Sequence, residues 1–367
     1  MKRVLLMSYS LDLGGSERQL TEVAKALDRR RFEVHVGCQV AKGIRAEELR
    51  AAGVSLADFP MSSYFSLRAL AAAAELSRYI RRNRIDLVHA FDVPMDVFAL
   101  PVARLHRRTT VLGSQRAHRS LTTGPRLFVL RAMDRAVDGI VVNCEYMRRH
   151  LIDEEHTPLE KIHLCYNGID TNLFAPGEGA QQERPLTVGS VCALRAEKNL
   201  SLLLRAFVET RETSPDVRMT ITGDGPMRAE LETLAGDLNL GDCFQLLPGT
   251  RDVPGRLREI DVFVLPSRTE ALSNSLMEAM SCGCAAIASR VGGNPELIGA
   301  NERGLLFEPD SVESLVAALQ TLIHDATLRR KLGRHAREWI AENLSIGASV
   351  KRMEEIYWSF LGEQGNK

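Results

Sequence analysis

The sequence predicts a two-domain α/β protein built on two parallel sheets, and three observations carry that reading. Short apolar runs rich in β-branched residues alternate with helical periodicities along the chain. The runs end in polar, glycine-bearing loops, as buried parallel strands feeding crossover helices do. The 367 residues suffice for two cores of ordinary domain size. Hydrophobic content of 45% and charged content of 26% are those of a soluble globular enzyme.

Several classes are excluded at this level. The seven cysteines are scattered in apolar contexts without C-x-x-C spacing and read as buried free thiols of a reducing compartment. Met1 to Met7 is too short for a signal peptide, and no run approaches the ~18 apolar residues of a membrane span, so a cytoplasmic protein is expected. No solenoid repeat or low-complexity segment appears. The net charge is zero, but residues 1–170 hold 26 Lys and Arg against 20 Asp and Glu, so the first half is basic and the second acidic.

The first domain, residues 1–170, opens with a strand from Arg3 to Ser8 and the loop Leu13-Gly14-Gly15-Ser16-Glu17. Gly14 and Gly15 allow close approach of backbone to a ligand. Ser16 and Gln19 have capping-box spacing for a helix through Leu27. Strands follow over Phe32–Cys38, Val54–Phe59, Asp86–Phe91, Thr109–Ser114, Gly139–Cys144 and Lys161–Tyr166, with helical patterns between them, one Ala-rich from Ser66 to Asn83. His89, at a strand end, reads as a packed histidine rather than a catalytic one. Asp153-Glu154-Glu155 reads as a solvated acidic run after a helix. Asn167-Gly168-Ile169-Asp170 is a turn signal at the domain crossing, and residues 171–185, with Gly177, Gly179 and two glutamines, read as a linker.

The second domain, residues 186–344, opens with a strand from Leu186 to Cys192 and then Arg195 and Lys198 around the first turn of a helix to Val208. Cations at a helix start oppose its dipole and call for something anionic opposite. Strands at Val217–Thr222 and Phe244–Leu247 follow, the first leading into Gly223-Asp224-Gly225-Pro226. Val262–Leu265 is a strand buried on both faces, ended by Pro266. Beyond Thr269-Glu270 a helical pattern holds Leu276, Met277, Ala279 and Met280, capped by Ser273 or Asn274 and stopped by Gly283. Ala285–Ser289 is the next strand, with Gly292-Gly293-Asn294-Pro295 opening another helix. Gly304–Phe307 is the last strand. The final helix, in residues 345–367, places Val350, Met353, Ile356, Tyr357 and Phe360 on one face.

Glu270 and Glu278, eight apart within Glu270-Ala271-Leu272-Ser273-Asn274 and Leu276-Met277-Glu278-Ala279-Met280, and framed by the strand before and Gly292-Gly293 after, resemble the Glu, seven residues, Glu signature of family 4 retaining glycosyltransferases. The similarity covers essentially the whole chain, most densely Leu186 to Glu308. It implies the GT-B fold: two Rossmann-like, doubly wound domains facing a cleft, with the C-terminal helix crossing back to pack on the first domain. Arg195 and Lys198 match the pair that clamps the donor diphosphate, and Gly223 and Gly225 match the family's G-x-G-P turn. Gly14 and Gly15 match the loop that faces donor diphosphate and acceptor. Arg251 is a base-contact candidate. The N–H groups from Leu272 through Ser273, Asn274 and Ser275 suit a phosphate, Glu278 the ribose hydroxyls, and Glu270 the sugar hydroxyls. In Gly113-Ser114-Gln115-Arg116-Ala117-His118, Arg116 or His118 takes the place of the family's sugar-facing histidine.

The expected reaction is transfer from a nucleoside diphosphate sugar, such as a UDP-sugar, to a hydroxyl of a glycan or lipid-linked glycan, with retention and through front-face departure. No cofactor and no metal are expected, since Asp-x-Asp does not occur and the two cations replace a metal. Arg78, Arg81, Arg82, Arg84, Arg104, Arg107 and Arg108 would give the basic first domain a contact with an anionic inner membrane face; solvated helix ends are the competing reading. No nucleic-acid partner is expected. A sugar-nucleotide epimerase or hydrolase and a noncatalytic nucleotide-sugar-binding protein share the same site residues, whereas an oxidoreductase would need the absent G-x-G-x-x-G.

Overall fold

A computed structural model describes residues 1–362 apart from Leu13, Ser62, Tyr64, Phe65, Ser120, Leu121 and residues 178–183, and each strand expected from the sequence is present. The chain divides into Met1–Gly168 with Ile346–Lys367, and Ile169–Ser345.

The first unit runs β1 (Lys2–Met7), α1 (Gly15–Ala26), β2 (Phe32–Cys38), α2 (Ile44–Ala51), β3 (Ser55–Asp58), α3 (Leu67–Arg82), β4 (Leu87–Ala90), α4 (Val93–Ala103), β5 (Thr110–Gln115), α5 (Pro125–Ala136), β6 (Gly139–Val142), α6 (Glu145–Asp153) and β7 (Ile162–Leu164). Its parallel sheet has the order β3-β2-β1-β4-β5-β6-β7. The order reverses between β1 and β4, the kind of point at whose carboxyl edge open α/β sheets place ligands. β4, β5 and β6 are wholly buried; β6 is apolar throughout, whereas β4 carries His89 and β5 ends in Ser114 and Gln115.

The second unit runs β8 (Thr187–Val191), α7 (Leu200–Thr213), β9 (Arg218–Thr222), α8 (Arg228–Asp237), β10 (Phe244–Leu247), α9 (Val253–Arg258), β11 (Val262–Leu265), α10 (Asn274–Ser281), β12 (Ala285–Ser289), α11 (Asn294–Ile298), β13 (Leu305–Phe307), α12 (Val312–His324) and α13 (Ala326–Asn343). Its parallel sheet, β10-β9-β8-β11-β12-β13, reverses between β8 and β11.

The last helix, α14 (Ile346–Leu361), belongs to the first unit. Val350, Met353, Ile356, Tyr357 and Leu361 are buried on its apolar stripe, and each such side chain contributes about 1.5 to 3 kcal/mol. Tyr357 meets Phe32 edge to face at 6.1 Å, and its hydroxyl lies 2.8 Å from Nδ1 of the buried His89. Nε2 of His89 is 2.8 Å from Ser114 Oγ, so this histidine is a packed, doubly bonded core group.

Four local expectations are corrected. α1 starts at Gly15 with Gly14 as its N-cap and no side-chain cap, because Gln19 is buried and spends its amide on Gly168: Nε2 donates to the carbonyl at 3.0 Å, and Oε1 accepts from the N–H at 2.9 Å. Ala196–Lys198 forms a 3-10 turn rather than the start of α7, which begins at Leu200 after Asn199 takes a left-handed φ of 50° and continues past Val208. Asp153 still belongs to α6, and Glu155 is a buried ion-pair partner rather than part of a solvated run. Of the linker, residues 178–183 lie outside the described residues, but Phe174 is buried in the second unit and its carbonyl accepts from Ser281 Oγ and Arg337 Nη1. Among the described residues, no helix is long and apolar enough to cross a membrane.

Candidate active site

The point of strand reversal in the second unit is closed by an ion pair. Lys198, leaving β8, places Nζ 2.5 Å from Oε1 of Glu270, which leaves β11, and Ser267 Oγ donates to the same oxygen at 2.7 Å. The side chains are 17% and 10% exposed, so both charges are largely out of water but remain reachable. Burial pushes the Lys198 ammonium down, yet the charge and hydrogen bond of Glu270, together with Cys192 and Glu197, outweigh it and the net shift is upward. Lys198 is therefore a fixed cation.

Backbone contacts position the pair. The N–H of Arg268 donates to the Glu197 carbonyl, joining the two loops directly. Asn199 and Arg268 both donate to Oδ1 of Asp310, at 3.0 and 2.8 Å. Gly225 lies against Leu194, where a Cβ would come 2.3 Å from the Leu194 carbonyl, and Met227 N–H bonds that same carbonyl. From the other side Gly292, at φ 55°, lies where a Cβ would fall 1.9 Å from the Glu270 carbonyl, and Gly293 N–H donates to Ala271 at 2.7 Å. Only glycine fits at 292. The paired glycines thus clasp the Glu270 loop against the switch point.

Ser273, one of the two expected caps, closes α10 by accepting from Leu276 N–H, and its hydroxyl is 3.1 Å from that of Ser275. Leu272, Ser273, Asn274 and Ser275 thus lie at a helix start with positive dipole, a few residues from Lys198's partner. Glu278 is buried one turn inside α10. Arg195 is 64% exposed, with its nearest acidic partner Glu197 at 3.9 Å. An exposed guanidinium, a fixed ammonium and a helix N-terminus together favour a diphosphate. Gly223 lies beside the Cys192 carbonyl at the end of β9, and Arg251 is exposed in the loop after β10. Among the described residues no hydrogen bond or ion pair ties Arg251 to the pair.

In the first unit the residues expected at the sugar part company. Arg116 Nη1 donates to Asn167 Oδ1 at 2.8 Å and its guanidinium lies 4.7 Å over the Phe91 ring; burial lowers its pKa. His118 turns to α6, with its ring 4.1 Å from that of His150 and 6.0 Å from Tyr146. Gly14, at the start of α1, has the carboxylate of Glu17 against its Cα, which a Cβ would meet at 2.1 Å.

Sequence reading missed Asp92, at the reversal point of this unit. Its Oδ2 accepts from Ser8 Oγ and Tyr9 N–H, both at 2.7 Å, while Oδ1 caps α4 through Met95 N–H. Burial pushes its carboxyl up to about 6 against those three bonds. The signal available was Asp92-Val93-Pro94, an N-cap followed by proline in the first helical turn. Ser267 and Asp310 were also missed, and no local pattern marks either.

The seven cysteines are free, six of them buried. Of the basic cluster, Arg78 pairs with Glu75 at 2.6 Å and Arg104 with Asp138 at 3.3 Å, while Arg81, Arg82, Arg84, Arg107 and Arg108 are exposed. Arg81 and Arg82 lie in the last turn of α3, and Arg84, Arg107 and Arg108 in the loops between α3 or α4 and the next strand, at the amino edge of the sheet.

Comparison with known proteins bears on the family and fold of the chain. Residues 174–339 match the glycosyl transferases group 1 model, and residues 13–173 match that of glycosyltransferase family 4. A sulfoquinovosyl transferase of Arabidopsis thaliana is 28% identical over 86% of this chain and 65% of its own length. The N-acetyl-alpha-D-glucosaminyl L-malate synthase of Bacillus anthracis is 26% identical over 96% of each. The structure of Anabaena Alr3699/HepE in complex with UDP shares the fold, with a TM-score of 0.86 at 21% identity over 98% of this chain and 100% of that one. With matches running from residue 13 to residue 339 across both sheets, the chain belongs to the group 1 glycosyltransferases of the GT-B fold, enzymes that transfer sugars.

Proposed function

We propose that the protein moves a sugar from a nucleoside diphosphate sugar to a hydroxyl of a glycan or lipid-linked glycan, with retention and without a metal at the diphosphate. The observation that carries this reading is the Lys198–Glu270 pair at the reversal point of the second sheet, flanked by exposed Arg195 and the start of α10. Arg195 and Lys198 neutralise charge developing on the departing diphosphate, assisted by N–H groups from Leu272 to Ser275. Glu278 takes the ribose hydroxyls. UDP is the nucleotide expected, since the structurally similar Anabaena protein was solved with it.

A carboxylate oxygen engaged at 2.5 Å by an ammonium and at 2.7 Å by a hydroxyl is a poorer nucleophile than a free one. Glu270 is therefore assigned to orienting the sugar and balancing Lys198, not to attack. The bond from C1 to the phosphate oxygen breaks, the acceptor oxygen bonds C1 on the same face, and the acceptor proton passes to the departing phosphate oxygen. Gly14 and Gly15 are assigned to the acceptor side, and Arg116 rather than His118, whose ring stacks on His150. Exposed Arg81, Arg82, Arg84, Arg107 and Arg108 supply an anionic surface contact for the first unit. Cosedimentation with vesicles containing anionic lipid, and not with neutral ones, is the corresponding observation.

The test has two stages. A nucleotide-sugar screen should show one class of donor protecting against thermal unfolding, by about 2.7 kcal/mol at ~100 times its dissociation constant. With that donor and an acceptor, the anomeric configuration of the product should match the donor's, and turnover in excess chelator should equal turnover in added magnesium or manganese. An inverted product, or activity lost in chelator and restored by manganese, overturns the assignment.

A further inference from the structure

The first unit carries a second cluster of ligating groups, outside the residues assigned to the sugar. His150, in the last turn of α6, is 4% exposed. Its Nδ1 is 3.1 Å from Oε1 of Glu154 but off the line a hydrogen bond needs, and its Nε2 has no hydrogen-bond partner among the described residues. A buried imidazole with both nitrogens unsatisfied forfeits the bonds it makes in water. The third member is His118, whose ring centroid is 4.1 Å away. One nitrogen from each histidine and a Glu154 oxygen lie within 4.8 Å of one another.

We propose that His118, His150 and Glu154 bind a divalent first-row transition cation of the Zn²⁺ type, joining the segment that follows β5 to the end of α6. Two imidazoles and one carboxylate form a donor set such ions accept, leaving a fourth position for water. Nitrogen donors select against Mg²⁺ and Ca²⁺. Zinc–nitrogen bonds of about 2.05 Å at a tetrahedral angle bring donors to about 3.3 Å apart. The His150–Glu154 separation of 3.1 Å is already close to this value, and the separations to His118, none above 4.8 Å, complete the site on closing. Glu154 is 62% exposed and can make that adjustment.

The backbone is prepared for it. Arg119, next to His118, and Glu155, next to Glu154, are paired with each other at 3.3 Å. Arg119 is further held by Asp134 at 2.6 Å, and Glu155 by Arg131 at 2.7 Å. Both ligand-bearing stretches are thus pinned together by charges that take no part in the cluster. The (i, i+4) spacing of His150 and Glu154 sets two donors on one side of a helix end.

The test reads binding rather than turnover, so its outcome is separable from the proposed transferase activity. Metal-free full-length protein is titrated with Co²⁺ and then Zn²⁺, following visible absorption and heat. One equivalent of Co²⁺ should acquire the intense visible bands of a low-coordinate nitrogen site, and Zn²⁺ should displace it while Mg²⁺ does not. Glu154→Ala, at an exposed position, should weaken Zn²⁺ binding by at least about tenfold, the lower end of what even outer-shell partners cost. His150→Gln should abolish binding, with circular dichroism checking its fold; if it does not fold, Glu154→Ala decides. Zn²⁺ should raise the melting temperature of the wild type more than that of Glu154→Ala. No saturable one-to-one binding, or affinity undiminished in Glu154→Ala or folded His150→Gln, overturns the site.

Discussion

Replacing Lys198 with alanine strands Glu270, a carboxylate one-tenth exposed, with Ser267 as the side-chain donor that remains. Breaking a buried pair from one side costs about 3 to 5 kcal/mol. Residual exposure of both groups, and a retained hydroxyl bond worth about 1 kcal/mol, bring the expected loss to about 2 to 4 kcal/mol. That cost belongs to the stranded charge more than to the lost contact, so Lys198→Ala/Glu270→Ala should regain roughly half of it or more. The chain has two tryptophans, Trp339 in the second unit and Trp358 in the first. In a Trp358→Phe background, urea unfolding followed by fluorescence therefore reports the second unit alone, which avoids treating a two-unit chain as one transition. Lys198→Ala should also lower kcat by about 30- to 1,000-fold, the equivalent of 2 to 4 kcal/mol of lost charge stabilisation. A double variant no more stable than the single one, or a folded Lys198→Ala with wild-type turnover, refutes the reasoning.

The nucleotide assignment predicts that Glu278→Ala binds free nucleoside diphosphate more weakly by about 10- to 150-fold, the equivalent of 1.5 to 3 kcal/mol; unchanged affinity by calorimetry in the folded variant removes Glu278 from the site. Tyr357→Phe should cost about 1 to 3 kcal/mol in urea unfolding, because it leaves Nδ1 of buried His89 without its partner. A loss within experimental error would mean that the bond carries no net stability. For Asp92, the folded carboxyl sits near 6, above the ordinary unfolded value, so the folded state holds the proton more tightly. Its contribution is full below about pH 4 and is lost as pH rises through about 6, on the order of 3 kcal/mol in total. Asp92→Asn should flatten that part of the stability profile, and an unchanged slope between pH 4 and 7 argues against the burial account.

How much was legible follows from the range of each interaction. β11 and β6 were readable because strands buried on both faces favour apolar residues throughout, and β12 and β4 because a single polar residue, Ser289 or His89, interrupts an otherwise apolar run. The start of α10 was readable because a cap acts over three residues. The bond between Lys198 and Glu270 spans 72 positions, and only the strand order brings those loops together. Gln19 shows how a local rule fails. Its spacing from Ser16 satisfies the capping box, but a backbone pair 149 residues away takes the amide, since leaving the buried N–H and C=O of Gly168 unbonded would cost more than leaving a helix start to solvent.

The two reversal points differ in how their polar groups are spent, and this explains why the second unit disclosed more of its site. There the charged residues stand on the turn after β8: among the described residues the Arg195 guanidinium has no acidic partner closer than 3.9 Å, and the largely buried Lys198 meets one carboxylate. Each therefore shows as a cation in a place where the helix dipole disfavours it. In the first unit the corresponding groups are absorbed into buried networks. Arg116 is spent on Asn167 and Phe91, and His89 on Tyr357 and Ser114. Asp92 joins both kinds of signal. Its Oδ1 satisfies the cap that the local pattern Asp-x-Pro announces, while Oδ2 takes two donors from the loop after β1, 83 and 84 residues away. The local rule accounts for an aspartate at that helix start. Only the order of strands accounts for its burial, and with it a carboxyl pushed up to about 6.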